Sequence, residues 1–563
     1  MCSKSDEMKT RALSRRDTMR IPKGLRPLRR ILVVLAVLAA YGVAGAESTE
    51  SVKPQRGGTL QLGLPVDWRS LDPAVAFDAD SVPLQKLLFR GLIDFDDGIG
   101  LVPDQASDWN ISPDGKVYTF HLRPGVRFSN GREVEAEDYV FSFERILDPK
   151  VSSTGQTYFL GILGASEFNQ GKAAHVSGLR APDHRTFIIE LKEPQFTFRY
   201  VLAMNFADVL PRDVVQQYGE NFQYHLTGSG PYRIKEWRRN IGYHFERNPY
   251  YTGADGYVDA VDIMIGGDRT LMGMMLQRGE LDWITGGVAD YVRFSRDPKL
   301  RSWIELVNTA NTDYFFMNTE IKPFDNVQVR RAMNYAINSE RMARLAGIYN
   351  LPSHEILPPS MPWSNPGLPR YDYNPEKARA LLREAGYPNG FKTQLWYILS
   401  REDDARMAQG IQQDLSEVGV QVELKQASYI AFQLKAEARH QVPCGVWGWM
   451  EDYPDASDFL DVLLNGERIT DTDCNNSSFY NNPEVNRLID QGNASNEAGE
   501  RTRLYREAER LIMTDAPWVP ILHERIPMLK SPRLHGTTPH PVWLWRYQYM
   551  WLDQSANSRK AGG

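Results

Sequence analysis

Cysteine is nearly missing from this 563-residue chain, which has three in all: Cys2, Cys444 and Cys474. No Cys-x-x-Cys occurs, which excludes a zinc ribbon and a dithiol redox centre. The ten histidines are scattered and no His-Glu-x-x-His is present. His535 and His540 stand five apart in a proline-containing loop, a poor spacing for metal ligation, so neither a metal nor a cofactor is expected. No Gly-x-Ser-x-Gly marks a hydrolase nucleophile, and Gly228-Ser229-Gly230 reads as a tight turn before Pro231. Gly164 to Lys172 has the wrong spacing for a phosphate loop, and Ala173 replaces the Ser or Thr that would bind Mg2+. An enzyme is therefore not expected. Internal repeats and long low-complexity tracts are also lacking, as is any apolar run of the roughly 20 residues that span a membrane.

The longest apolar run, Ile31 to Ala46, follows Arg26, Arg29 and Arg30 and ends in Ala44-Gly45-Ala46. A positive flank, a short apolar core and small residues at its end describe a secretory signal cleaved after Ala46. The thirty residues before Ile31 are long for such a signal, and both Met1 and Met19 are open as the true start. Residues 1–46 hold ten Lys/Arg and three Asp/Glu, so the remainder has 55 basic against 68 acidic residues, a net of −13. So acidic a surface argues against nucleic acid, whose phosphates call for a basic face. Cys444 and Cys474 remain after cleavage, and in an oxidising compartment they are either a disulfide or two separate thiols. A hydrophobic content of 42% and a charged content of 24% fit a globular protein, and the length calls for two or three lobes. Most of the 13 Trp, 26 Tyr and 23 Phe are expected in the core, and so many rings also suit a large cavity lined by aromatic faces.

Trp109 to Pro149 is the most informative stretch. Pro113-Asp114-Gly115, Pro124-Gly125 and Asn130-Gly131 are turns, because Pro presets φ and Gly supplies φ > 0. Tyr118, Phe120 and Leu122 alternate with polar neighbours as in a half-buried strand. Tyr139, Val140, Phe143 and Ile146 then form a helical stripe that Asp148-Pro149 stops. This order of turns, strand and helix resembles the signature of the family 5 solute-binding proteins of ABC importers, which include dipeptide- and oligopeptide-binding proteins. Leu71-Asp72-Pro73, Thr227 to Tyr232, Arg247 to Tyr251 and Gly279 to Asp282 are similar to further landmarks of that family, with Thr252 where it usually has Trp. In the second half, Asn374-Pro375 opens a helix that Gly386 ends, and Pro323-Phe324-Asp325 starts another carrying Val329, Met333 and Ile337. Strands at 393–397 and 420–424 alternate with helices, as in an α/β domain.

The resemblance implies a periplasmic-binding-protein-like α/β fold: two α/β domains joined by a hinge, with an inserted third subdomain in the N-terminal half. The corresponding division is a signal over 1–46, domain I over 47–96, 211–313 and 525–552, the insert over 97–210, domain II over 314–524 and a frayed tail over 553–563. It also implies a periplasmic, monomeric protein whose partners are a peptide ligand and the permease subunits of the inner membrane.

Cys444 to Leu464 carries the candidate site. Its acidic residues Asp455 and Asp458 suit a helix start and a solvated loop. Asp452 is left over, just after Trp447-Gly448-Trp449, where low dielectric strengthens attraction for a cation. Trp449, Asp452 and Tyr453 match a Trp-x-x-Asp-Tyr pattern of the oligopeptide-binding proteins, in which the Asp pairs with the ligand's α-ammonium. The resemblance thus implies that Asp452 anchors a peptide N-terminus, with Trp449 and Trp447 as pocket walls or core. Tyr429 and Asn475 match further ligand-contact positions. Two departures stand out: Val446 replaces an Arg, and Phe77, beside Asp78, replaces an acidic contact. Extended-strand recognition of the guest and closure about the hinge complete the expected mechanism. Oligosaccharide, nickel chelate and haem stay open as other guests of the same family.

Overall fold

The computed structural model describes residues 53–556 except Arg69 and Ser364. The signal segment, its cleavage after Ala46, Cys2, the choice between Met1 and Met19 and the tail beyond Ala556 lie outside the described residues.

Leu60, Leu62 and Leu64 alternate into the interior along strand Thr59–Leu64, and Val261, Ile263 and Ile265 do the same along Ala260–Ile265. These two parallel strands centre a seven-stranded mixed sheet. In order its strands are Ile304–Asn308, Arg525–Lys530, Trp283–Thr285, Thr59–Leu64, Ala260–Ile265, Gly242–Arg247 and Tyr232–Arg238. Helix Ser81–Leu88 covers it, and the turn at Gly228 and Gly230 lies directly on that helix's end. A Cβ at Gly228 would sit 1.9 Å from the Leu88 carbonyl oxygen, so a glycine is required there.

A second, six-stranded sheet runs Leu351–Pro352, Trp518–His523, Asn311–Met317, Cys444–Met450, Lys392–Ile398 and Gln421–Ala427. Its last three strands are parallel to one another. Helix Pro375–Glu384 leads into them and helices Glu402–Glu417 and Tyr429–Ala436 connect them, the first capped by Asn374, whose Oδ1 accepts from the Lys377 N–H at 2.9 Å. Gly386, at φ +89°, ends that first helix as expected. The helix expected from Pro323 begins later, at Val327. Residues 321–326 close two tight turns first, and Asn326 then caps by accepting from the Gln328 N–H at 2.8 Å.

The stretch with the signature turns forms its own four-stranded antiparallel sheet, ordered Ala106–Ile111, Val117–Leu122, Thr186–Glu190 and Leu179–Asp183. Helix Ala136–Leu147 lies on it, bringing Tyr139 and Phe143 within 5.6 and 5.4 Å of the Phe187 ring. Its start is fixed by a capping box between Glu135 and Asp138.

The chain passes between the two large sheets twice, from Ile304–Asn308 into Asn311–Met317 and from Trp518–His523 into Arg525–Lys530. The crossings are bonded to each other: the Thr309 N–H and hydroxyl donate to the Glu524 carbonyl at 3.1 and 2.9 Å. The Glu524 N–H returns a bond to Asn311 Oδ1 at 2.6 Å.

Cys444 and Cys474 are both free and buried, so of the two readings the disulfide is not formed. Cys444 lies inside strand Cys444–Met450 with its thiol on the Gln394 carbonyl at 3.2 Å. Cys474 sits in a separate loop with its thiol 3.7 Å from the Asn476 carbonyl.

Asp455, read from sequence as part of a solvated loop, is instead fully buried with Arg501. One guanidinium nitrogen bonds both Asp455 oxygens at 2.6 Å, and Phe196 from the inserted unit lies 4.1 Å from the guanidinium carbon. Arg501→Ala would leave that carboxylate buried and unpaired, at a cost of about 3–5 kcal/mol. Urea unfolding checks this; a loss below about 1 kcal/mol, the level of an exposed pair, would contradict it.

Candidate functional site

Parallel strands Lys392–Ile398, Gln421–Ala427 and Cys444–Met450 end at one edge of their sheet. In open α/β sheets the crevice beyond the carboxyl ends of the strands is where ligands bind. Arg401, Tyr429 and Asp452 emerge just past those ends. Gly448 lets the last strand come close to Asp313, whose Oδ1 would lie 2.0 Å from a Cβ at that position.

Asp452 faces a cavity of about 240 Å3. The opposite wall is formed by Phe77, Val82, Val542 and Trp543, which pack into the apolar core that also holds Tyr118, Phe120 and Phe187. Phe77 and Asp78, the departure noted after the Leu-Asp-Pro turn, both line it. A second cavity, of about 600 Å3, shares Ala79 and Leu544 with the first and extends the cleft toward the crossings. Arg269, Arg406 and Arg525 line it together with Asp80, Asp403 and Glu524. The cleft is therefore acidic at the Asp452 end and mixed, with guanidinium groups, at the other. Near the crossings Arg401 forms long ion pairs, 3.8 Å to Asp313 and 3.6 Å to Asp404.

The Asp452 carboxylate accepts a short hydrogen bond from the Tyr158 hydroxyl, which belongs to the inserted unit. Tyr453 reaches the same unit, edge-on to Tyr158 at 6.4 Å and in its apolar core. Burial pushes Asp452 up to about 6 although the Tyr158 bond favours its ionised form. Behind it, Asp458 is fully buried, not solvated as its sequence context suggested. Its Oδ2 accepts from the Asp452 N–H at 3.0 Å and the Trp449 indole at 2.9 Å. Trp449 thus orients the loop that presents Asp452.

Trp447 is buried against Phe432 at 4.8 Å and touches Tyr429 at 6.1 Å, so it is a core wall under an exposed ring. Tyr429 is 51% exposed at the head of helix Tyr429–Ala436. Asn475 is exposed in a turn, and its carbonyl accepts from the Ser477 N–H at 2.9 Å. Of the five candidate residues, Asp452 alone lines the smaller of these two cavities, and none lines the larger. Tyr158 and Trp543 were not found from sequence, since each lies in a segment with no motif of its own. Among the described residues Glu135, Glu137 and His184 could chelate a cation, but they belong to the inserted unit's sheet and helix, not to the cleft.

The chain matches the profile of bacterial extracellular solute-binding proteins, family 5, over residues 100–471. It is 31% identical over 480 residues to heme-binding protein A of Haemophilus influenzae, covering 81% of this chain and 85% of that protein. It is 29% identical over 478 residues to glutathione-binding protein GsiB of Escherichia coli, covering 84% and 90%. The solved structure of clavulanic acid biosynthesis oligopeptide binding protein 2 superposes with a TM-score of 0.82 at 27% identity, over 89% of this chain and 96% of that one. The chain belongs to the family 5 solute-binding proteins of ABC importers.

An acid whose folded value is raised stabilises the fold fully below its unfolded value near 3.9, and that contribution is lost as pH rises through about 6. Replacing Asp452 by Asn should therefore raise the unfolding midpoint of the ligand-free protein at pH 8. The gain should shrink on acidification through about 6. Calorimetric melts at several pH values test this, and an equal gain at pH 8 and pH 5 would count against a buried, reluctant carboxylate.

Proposed function

We propose, from this family membership, that the protein captures short peptides by their free amino end and delivers them to a membrane permease. One observation carries the reading: a half-buried carboxylate faces a cavity whose lining has no Lys, Arg or His. An α-ammonium supplies the missing charge, and burial makes the pair strong and specific. The Tyr158 hydroxyl, reaching over from the inserted unit, ties ligand capture to contact between the lobes. The crossings at 308–311 and 523–525 are the hinge about which those lobes close. Guanidinium groups at the other end of the cleft suit the guest's carboxylate, leaving the stretch between for its main chain.

Haem, which the name of one relative indicates for that protein, fits this end of the cleft less well. Its propionates would bring anions to a wall already lined by Asp78, Glu451 and Asp452. A neutral oligosaccharide would leave Asp452 without a counter-charge. Glutathione, named for another relative, carries an α-ammonium and meets the same test as a peptide.

Asp452→Asn should weaken a tripeptide with a free amino end by at least about 100-fold, since breaking a buried charged pair on one side costs about 3–5 kcal/mol. Binding to the parent protein should also weaken as pH falls through about 6, because the anchor must ionise to pair. Calorimetric titration reads both. Unchanged affinity in the variant would remove Asp452 from the site.

A further inference from the structure

The pocket at Asp452 holds more carboxyl groups than one ammonium can pair. Asp78, Glu451 and Asp452 line it, with Asp458 buried behind them. Asp78 is committed locally, accepting from the Ser81 N–H and hydroxyl at 2.8 and 2.7 Å and so holding the start of helix Ser81–Leu88. Asp452 has the Tyr158 hydroxyl. Among the described residues Glu451 has no such partner: it is half-buried, and its Oε2 is buried with no hydrogen bond, as is Oδ1 of the fully buried Asp458. Burial and the adjacent Asp452 charge both push Glu451 well above the usual carboxylate range.

Among the described residues no nearby cation pairs with Glu451. Lys86 meets the Trp543 ring at 4.6 Å, yet it is buried and shares its charge between Asp208 at 3.5 Å and Asp94 at 4.0 Å. Glu451 is held in place by its own backbone, whose N–H donates to the Ala310 carbonyl at 2.9 Å beside the crossing. The cavity, about 240 Å3, has room for roughly eight waters at about 30 Å3 each. An ammonium alone leaves most of it unfilled.

We infer that this pocket takes a guest with two positive charges at one end: a peptide whose first residue is Lys or Arg, its α-ammonium on Asp452 and its side-chain cation on Glu451. The inference rests on the peptide reading above and narrows it. The Trp-x-x-Asp-Tyr pattern leaves the Glu451 position unspecified, so this preference belongs to the present chain. Pairing also entails proton release, because Glu451 must ionise when the second cation arrives.

The test compares Lys-Ala-Ala with norleucine-Ala-Ala, which has nearly the same length and no side-chain charge, by calorimetry in buffers of differing ionisation enthalpy. The parent protein should bind the Lys peptide at least about tenfold tighter, with extra proton release. In Glu451→Gln the two peptides should bind within about twofold of each other. Equal affinities in the parent, or a gap that survives in Glu451→Gln, would overturn the inference and leave the peptide reading standing. If the folded parent binds neither peptide, the peptide reading itself fails and takes this inference with it.

Discussion

A half-buried carboxylate where the second sheet meets the inserted unit couples charge to geometry. Asp452 comes from just past the second sheet, the hydroxyl that touches it from the inserted unit, and the facing wall from Phe77, Val82, Val542 and Trp543, which pack into the same apolar core as that unit. Its ionised form is costly while no cation is present, and a cation offered from the cleft removes that cost. On the proposed reading, ligand charge would thereby be read out as contact between lobes. The energetic lever is the desolvation of one group, not a large contact area.

The scaffold serves that group at several distances. Three parallel strands bring their carboxyl ends to one edge, so Arg401, Tyr429 and Asp452 share it despite lying far apart in sequence. Gly448 allows the close strand approach there, and Trp449 with Asp458 sets the direction in which the loop leaves the sheet. The Asp455–Arg501 pair, covered by Phe196, fixes the loop's far end and adds a second contact with the inserted unit. The loop is thus rigid on both sides of Asp452, as a preorganised anchor must be.

Much of this was legible in the sequence wherever the physics is local. Turn glycines, the capping Asn374 and the alternation of Tyr118, Phe120 and Leu122 declare themselves through φ preferences and period. Asp452 was legible as a charge left over after capping roles were assigned. What escaped depended on partners distant in the chain. Asp455 and Asp458 look like ordinary helix-start residues until Arg501 and Trp449 are placed beside them. Tyr158 lies 294 positions before the carboxylate it meets, on a short helix without a motif. The state of Cys444 and Cys474 likewise depended on where strand and loop come to rest, which spacing alone does not fix.

The central claim is that the guest's positive amino end is the handle. Calorimetric titration of one tripeptide, with its amino end free and then acetylated, tests it most directly because only the charge at that end differs. The account predicts that the free form binds and that acetylation weakens binding by at least about 100-fold. Equal affinity for the two forms would contradict it.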